Sequence, residues 1–143
     1  MAKIELSFAP NAAHVRTARQ VAVALARRAQ VPDDALDEIR LAVGEACGLA
    51  VSLQRLARPD EPVTLVFDDR GGLAVDVCAS VPLATATGEH ALDVLADAIG
   101  VEGQELPTGA VMALLAAFAG TFDVTTSADG VVLALGWPPV AVT

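Results

Sequence analysis

Glu45 is the one charged residue in the run LAVGEACGLAV (41–51), and on a helix it would have Leu41 and Leu49 one turn to either side. A carboxylate held between leucines on a sheltered surface is partly desolvated and can act as a general base. Its plain alternative is an ordinary surface glutamate between two exposed leucines. Other reactive side chains promise less. Cys47 and Cys78 lie in apolar contexts on separate elements, so both are expected to be buried free thiols. A helix interior makes Cys47 a poor nucleophile, because burial favours the thiol over the thiolate. His14 and His90 are far apart and have no neighbours at ligand spacing, which leaves no metal site. No serine sits in a nucleophile elbow, and GGLAV follows a turn and precedes a strand, unlike a phosphate loop.

The elements that must carry these residues follow from periodicity. KIELSF (3–8) alternates as a strand does. Asn11 is a candidate cap for a helix running to Gln30, with Val15, Ala18, Ala22, Leu25 and Ala26 as its apolar stripe and Arg16, Arg19, Arg27 and Arg28 on a solvated face. Asp33 is a candidate cap for a second helix over 35–56, whose core face is Leu36, Ile39, Val43, Ala46, Ala50 and Leu53. PVTLVFDD (62–69) and GLAVDVCAS (72–80) form a hairpin around DRGG. Residues 81–108 are irregular, with one short helical pattern, HALDVLADAIG. A third main helix, TGAVMALLAAFAG, starts at Thr108 as a cap, and TFDVTTSADGVVLALGW makes a second hairpin around ADG. The order β-α-α-β-β-(short helix)-α-β-β predicts a single α+β domain over 1–143. It is a two-layer sandwich, with a mixed, mostly antiparallel sheet covered by helices on one face.

Composition narrows the function classes. The chain is 54% hydrophobic and carries a net charge of −9. All nine Lys and Arg fall within residues 1–70, opposite ten acids, while residues 71–143 carry eight acids and no cation. Direct nucleic-acid binding depends on basic side chains and is not expected. The acidic half would suit a basic protein partner. The longest apolar stretch, 109–120, is too short to span a bilayer, and the alternating start has no apolar block of a signal peptide; the expectation is a soluble cytoplasmic protein with no membrane association.

On a wheel of 100° per residue, Ile39, Val43, Ala46 and Ala50 of the second helix face one way, and Glu38, Leu41, Glu45, Leu49 and Ser52 another. The second stripe is either the solvated side of a surface helix, or it lines a groove or is covered by residues 81–108.

The run SFAPNAAHVRTARQVAVALARRAQVPDDALDEIRLAVGEACGLAV (7–51) resembles the start of the anti-sigma-factor serine kinases, members of the GHKL (histidine kinase-like) ATPase superfamily. The element order matches that fold over nearly the whole chain. In this family the second helix carries a glutamate implicated as general base and, four residues on, an asparagine that binds the magnesium of ATP. Glu45 matches the first, and Leu49 stands at the second. The resemblance further places Ala79 where the family has an adenine-binding aspartate, and Val81 and Leu83 at glycines that follow it. Asp76 comes three residues too early. The second glycine box reads LPTGAVMALL, in which Gly109 remains and a proline stands near another glycine's place. Between the boxes, the degenerate lid region 81–108 carries Glu89, Asp93, Asp97, Glu102 and Glu105 and no cation, a field that repels a triphosphate.

The resemblance therefore implies a scaffold whose nucleotide site has decayed. Glu45 would be a relic general-base position; no cofactor and no metal are expected. The first expectation is a nucleotide-independent regulator acting on a protein partner, a sigma factor or an anti-sigma antagonist, and forming a homodimer. One alternative is an ATP- and magnesium-dependent serine kinase with divergent motifs. Another is a small-molecule sensor using the emptied apolar groove lined by Leu41, Leu49, Val81, Leu83 and Met112.

Overall fold

The computed structural model of the chain describes residues 3–99 and 108–140. Strand β1 (Lys3–Phe8) leads into a 3₁₀ turn, Ala12–His14, and helix α1 (Val15–Arg28). A second 3₁₀ turn, Asp33–Ala35, opens α2 (Leu36–Ala57). Then come β2 (Val63–Asp68), β3 (Leu73–Ala79), β4 (Ala86–Thr87), α3 (Gly88–Ile99), α4 (Thr108–Phe118), β5 (Thr121–Ser127) and β6 (Gly130–Trp137).

Local chemistry explains most boundaries. The Asn11 side chain accepts from the Ala13 N–H at 2.9 Å and caps the turn that feeds α1. At the other end of α1, Gln30 takes the left-handed conformation (φ 61°), and the N–H groups of Val31 and Gln30 close back on the carbonyls of Ala26 and Arg27. That is a Schellman ending, with glutamine where glycine is usual and the buried Val31 supplying its apolar contact. Asp33 does not cap α2: it lies inside the 3₁₀ turn after Pro32, and no side-chain cap bond forms there. Asp37 and Glu38 sit in the first turn of α2, near the positive end of its dipole.

The six strands form one sheet in the order β1-β2-β3-β6-β5-β4. Every pairing is antiparallel, so the sheet is not mixed. The two hairpins are joined through β3 and β6, whose register runs from Leu73 opposite Trp137 to Ala79 opposite Val131. Strand β4 has no counterpart in the sequence reading, because two residues carry no periodicity. It adds to the outer side of β5.

One face of the sheet is buried. Val63, Leu65 and Phe67 of β2, Val75 and Val77 of β3, and Leu133 and Leu135 of β6 pack under the helices in one core cluster with Ile39, Val43, Ala46 and Ala50 of α2 and Ala18, Ala22 and Ala26 of α1. The alternate residues, including Val66, Asp76, Cys78 and Ala134, are half-buried on the open face. Cys47 is buried, whereas Cys78 is only half-buried; both are free thiols. Among the described residues no helix is long and apolar enough to cross a membrane.

Candidate functional site

Helix α2, which carries the residues singled out, packs against β3 and α4. Leu49 of α2, Ala79 at the end of β3 and Val81 beyond it are 3%, 3% and 1% exposed, and all belong to the same core cluster as Met112 of α4. Leu83 is half-buried against that cluster. Of the residues expected to line a groove, Leu41 alone is exposed. None of Leu49, Ala79 or Val81 has a side-chain donor or acceptor. A magnesium ion takes oxygen ligands, and position 49 offers none.

The chain beyond β3 is held down by polar contacts that the sequence does not reveal. Gln54, on the C-terminal part of α2, is fully buried. Its Oε1 accepts from the Ser80 N–H at 2.8 Å, and its Nε2 donates to the carbonyl of Arg58 at 2.9 Å and to that of Ser80 at 3.4 Å. The Ser80 hydroxyl donates to Glu61 Oε2 at 2.5 Å. A buried amide with all its bonds made is a fixed clasp, since leaving any of its groups unpaired costs about 1–3 kcal/mol. Farther along, the Leu83 N–H donates to the carbonyl of Ser127 at 3.0 Å, and the Thr126 hydroxyl donates to the carbonyl of Ala84 at 2.6 Å. Residues 81–85 are thus laid across the end of the second hairpin on their way to β4.

Gly130 fixes the same corner from below. It has φ 141°, and a Cβ there would stand 1.9 Å from the carbonyl oxygen of Ala79, so only glycine allows this approach. Gly109 differs. It is exposed near the start of α4, and a Cβ on it would meet nothing within 4 Å. Neither packing nor backbone conformation requires a glycine there. The Thr108 cap expectation concerns a side chain outside the described residues, as do Glu102, Glu105 and Pro107 of the lid region.

Glu45 is half-buried and makes no ion pair among the described residues. The residue before it has an unexpected neighbour. Arg19 of α1 lies across Gly44, where a Cβ would come within 3.0 Å of Arg19 Cδ. Of the four arginines that spacing puts on a solvated face, Arg16, Arg27 and Arg28 are exposed and Arg19 is half-buried on α2. The smallness of Gly44 is the one signal that marks this contact. Burial raises the Cys47 thiol to about 12, with the Arg19 charge pulling weakly the other way, so Cys47 is inert as a nucleophile near neutral pH. Cys78 is raised to about 11 by burial and by the carboxylates of Asp76 and Glu5. Among the described residues no His, Cys, Asp or Glu cluster could hold a metal ion.

The family model described as histidine kinase-like ATPase domain matches residues 8–137, from the last residue of β1 to the last residue of β6. No curated protein matches the chain.

Proposed function

The chain belongs to the histidine kinase-like ATPase domain family, and from that premise we propose that it is a regulatory protein-binding module that works without nucleotide. The resemblance of residues 7–51 to anti-sigma-factor kinases gives the kind of process: transcription control in the cytoplasm through a sigma factor or an anti-sigma antagonist, with the chain acting as a homodimer. The exposed arginines of α1, Arg16, Arg27 and Arg28, and the acidic second half of the chain are the surfaces open to such a partner.

One observation carries the reading. At the position where the family places its magnesium-binding asparagine stands a leucine that is 3% exposed in the core. The burial of Ala79 and Val81 supports it, because adenine and phosphate contacts would have to be made by side chains packed against protein. The residues at these positions do not fit a magnesium nucleotide. The same burial weighs against a sensor with an open apolar groove here. Glu45 remains as an inherited position with neither the metal nor the nucleotide that gave it work.

A thermal-shift measurement with magnesium and ATP tests this. Ligand at a hundred times its dissociation constant stabilises the native state by about 2.7 kcal/mol, which is several degrees for a domain of this size. The expected result is an unchanged melting temperature at millimolar ATP. A rise of several degrees would return the protein to the serine-kinase reading.

A further inference from the structure

We propose that the open face of the sheet docks a basic helix of a partner protein, laid across the strands along the row Glu5, Val66, Asp76, Ala134 and Asp123. This rests on the protein-binding reading above and gives that partner its chemistry.

The register builds this face in rows. Cross-strand partners share a face, so Glu5 of β1, Val66 of β2, Asp76 of β3, Ala134 of β6 and Asp123 of β5 stand in one line across the sheet. Apolar residues occupy the middle of the face. Val66, Ala74, Cys78, Val132 and Ala134 lie on the central strands β2, β3 and β6. The flanking strands carry only polar residues there: Lys3, Glu5 and Ser7 on β1, and Thr121, Asp123 and Thr125 on β5, all exposed. A solvated sheet face is polar throughout, whereas an apolar centre inside a polar rim is the layout of a protein interface. The central side chains are short and leave room for a helix to approach. A hollow of about 250 Å³ borders Cys78 and Val132 on one side of the row, and another of about 390 Å³ borders Ala74 and Gly136 on the other.

Charge selects the occupant. Asp76 is half-buried in the apolar centre and makes no ion pair among the described residues. Burial pushes its carboxyl upward, against the pull of Lys3. A carboxylate so placed gains from a cation that covers it. Glu5 and Asp123 flank it two strands away on either side, at about 10 Å each. The cations of this face stand at one end of it: Lys3 is opposite Asp68, and Arg70 is bound to Asp68. The row itself holds acids only. A second copy laid face to face, or a nucleic acid, would bring like charge to it. A helix rises 1.5 Å per residue, so cations about seven residues apart on one of its faces meet successive carboxylates. The partner segment is therefore a helix with Lys or Arg at i, i+7 and i+14 and small apolar residues between them.

The probe is a labelled helical peptide of about 20 residues with lysine at every seventh position of a face of alanine and leucine; its control carries glutamate at those positions. Each is titrated with the full chain at low salt, anisotropy giving the affinity and amide resonance shifts the place. The lysine peptide should bind and the glutamate peptide should not, with the shifts centred on residues 64–66, 74–78 and 132–134. Asp76→Asn should weaken binding about tenfold, and Asp123→Asn, at an exposed position, about threefold. Should Asp76→Asn fail to fold, Asp123→Asn carries the same test. No binding at millimolar peptide, or an affinity indifferent to both changes, overturns the proposal. Shifts confined to the helices overturn this surface and leave the protein-binding reading standing. Shifts on the same rows that grow with protein concentration alone make a second copy the occupant and also overturn it. The failure of the reading itself is a rise in melting temperature with magnesium and ATP, which this titration contains neither of.

Discussion

Strand β3 begins and ends in opposite chemistry. At its start, Arg70 and Gly71 of the turn over residues 69–72 are exposed, and Gly71 and Gly72 supply its positive φ angles. There the Arg70 guanidinium donates twice to the Asp68 carboxylate, at 3.0 and 2.8 Å, and the Arg70 N–H donates to the same group at 3.0 Å. At its end, Ala79 is buried, Gly130 presses on its carbonyl, and the Gln54 amide clasps Ser80. Three well-formed bonds hold the first end and three hold the amide clasp of the second. The difference lies in solvent. Water screens and competes with the exposed ion pair, whereas each contact at the buried end replaces water altogether. The buried end is where a substitution should cost most.

The largest expected effect is therefore that of placing a charge at position 79. Ala79→Asp should cost about 3–5 kcal/mol at neutral pH, because it buries a carboxylate among apolar neighbours with no cation to pair. Urea unfolding measures it. The new acid's pKa would be raised by burial, so the native state would hold its proton to higher pH than the unfolded chain does. The deficit should then shrink as the pH falls towards 4 and be full at pH 7. A cost below about 1 kcal/mol would mean that the corner opens to water and that a cleft exists where the structure has core.

A smaller effect of opposite sign is expected at Gly109. With open space around its missing Cβ, Gly109→Ala should stabilise the protein by about 0.5 kcal/mol, by reducing the freedom of the unfolded chain and favouring helix. Thermal unfolding reads the gain. It sharpens the contrast between two glycines: Gly130 is demanded by a backbone contact, and Gly109 is demanded by nothing among the described residues. Destabilisation by alanine would instead reveal a contact that keeps the glycine.

The same contrast sets what the sequence can reveal. Alternation over 3–8, 63–68 and 73–79 has a period of two whatever the strands pack against, and the core face of α2 follows the helical spacing, so these elements and the layering are legible. The helical wheel separates Leu49 from the sheet-facing residues of α2, but it does not show that Leu49 is buried, at 3% exposure. Helices α3 and α4 pack on α2, and their positions depend on contacts far apart in sequence. Gln54 looks like any polar residue late in a helix until Ser80 is brought to it, 26 positions on. Arg19 belongs by spacing to the wet face of α1 and is taken out of it by the bare surface of Gly44. The absence of oxygen at position 49 needs no structure, because it is a property of the side chain alone.

The smallest effect is expected where the bonds look best. Arg70 holds the Asp68 carboxyl well below its ordinary range, yet Arg70 is exposed and Asp68 only half-buried, so water reaches the pair. The sign is that of an acid whose folded pKa is depressed. Any stability it contributes is present above the unfolded value near 3.8 and is lost as the pH falls through the lower folded one. Asp68→Asn should accordingly leave the melting temperature within measurement scatter at pH 7 in moderate salt. A difference from the natural chain should appear, if anywhere, at low ionic strength and vanish in strong acid, where both carry a neutral side chain at position 68. A large loss at pH 7 that persists in high salt would break the comparison, since charge screening could then no longer separate the two ends of β3. The guanidinium bonds of Arg70 would then be holding the turn by a paired geometry that asparagine cannot reproduce, and Asp68→Ala, which also removes the acceptor of the Arg70 N–H, would cost more still.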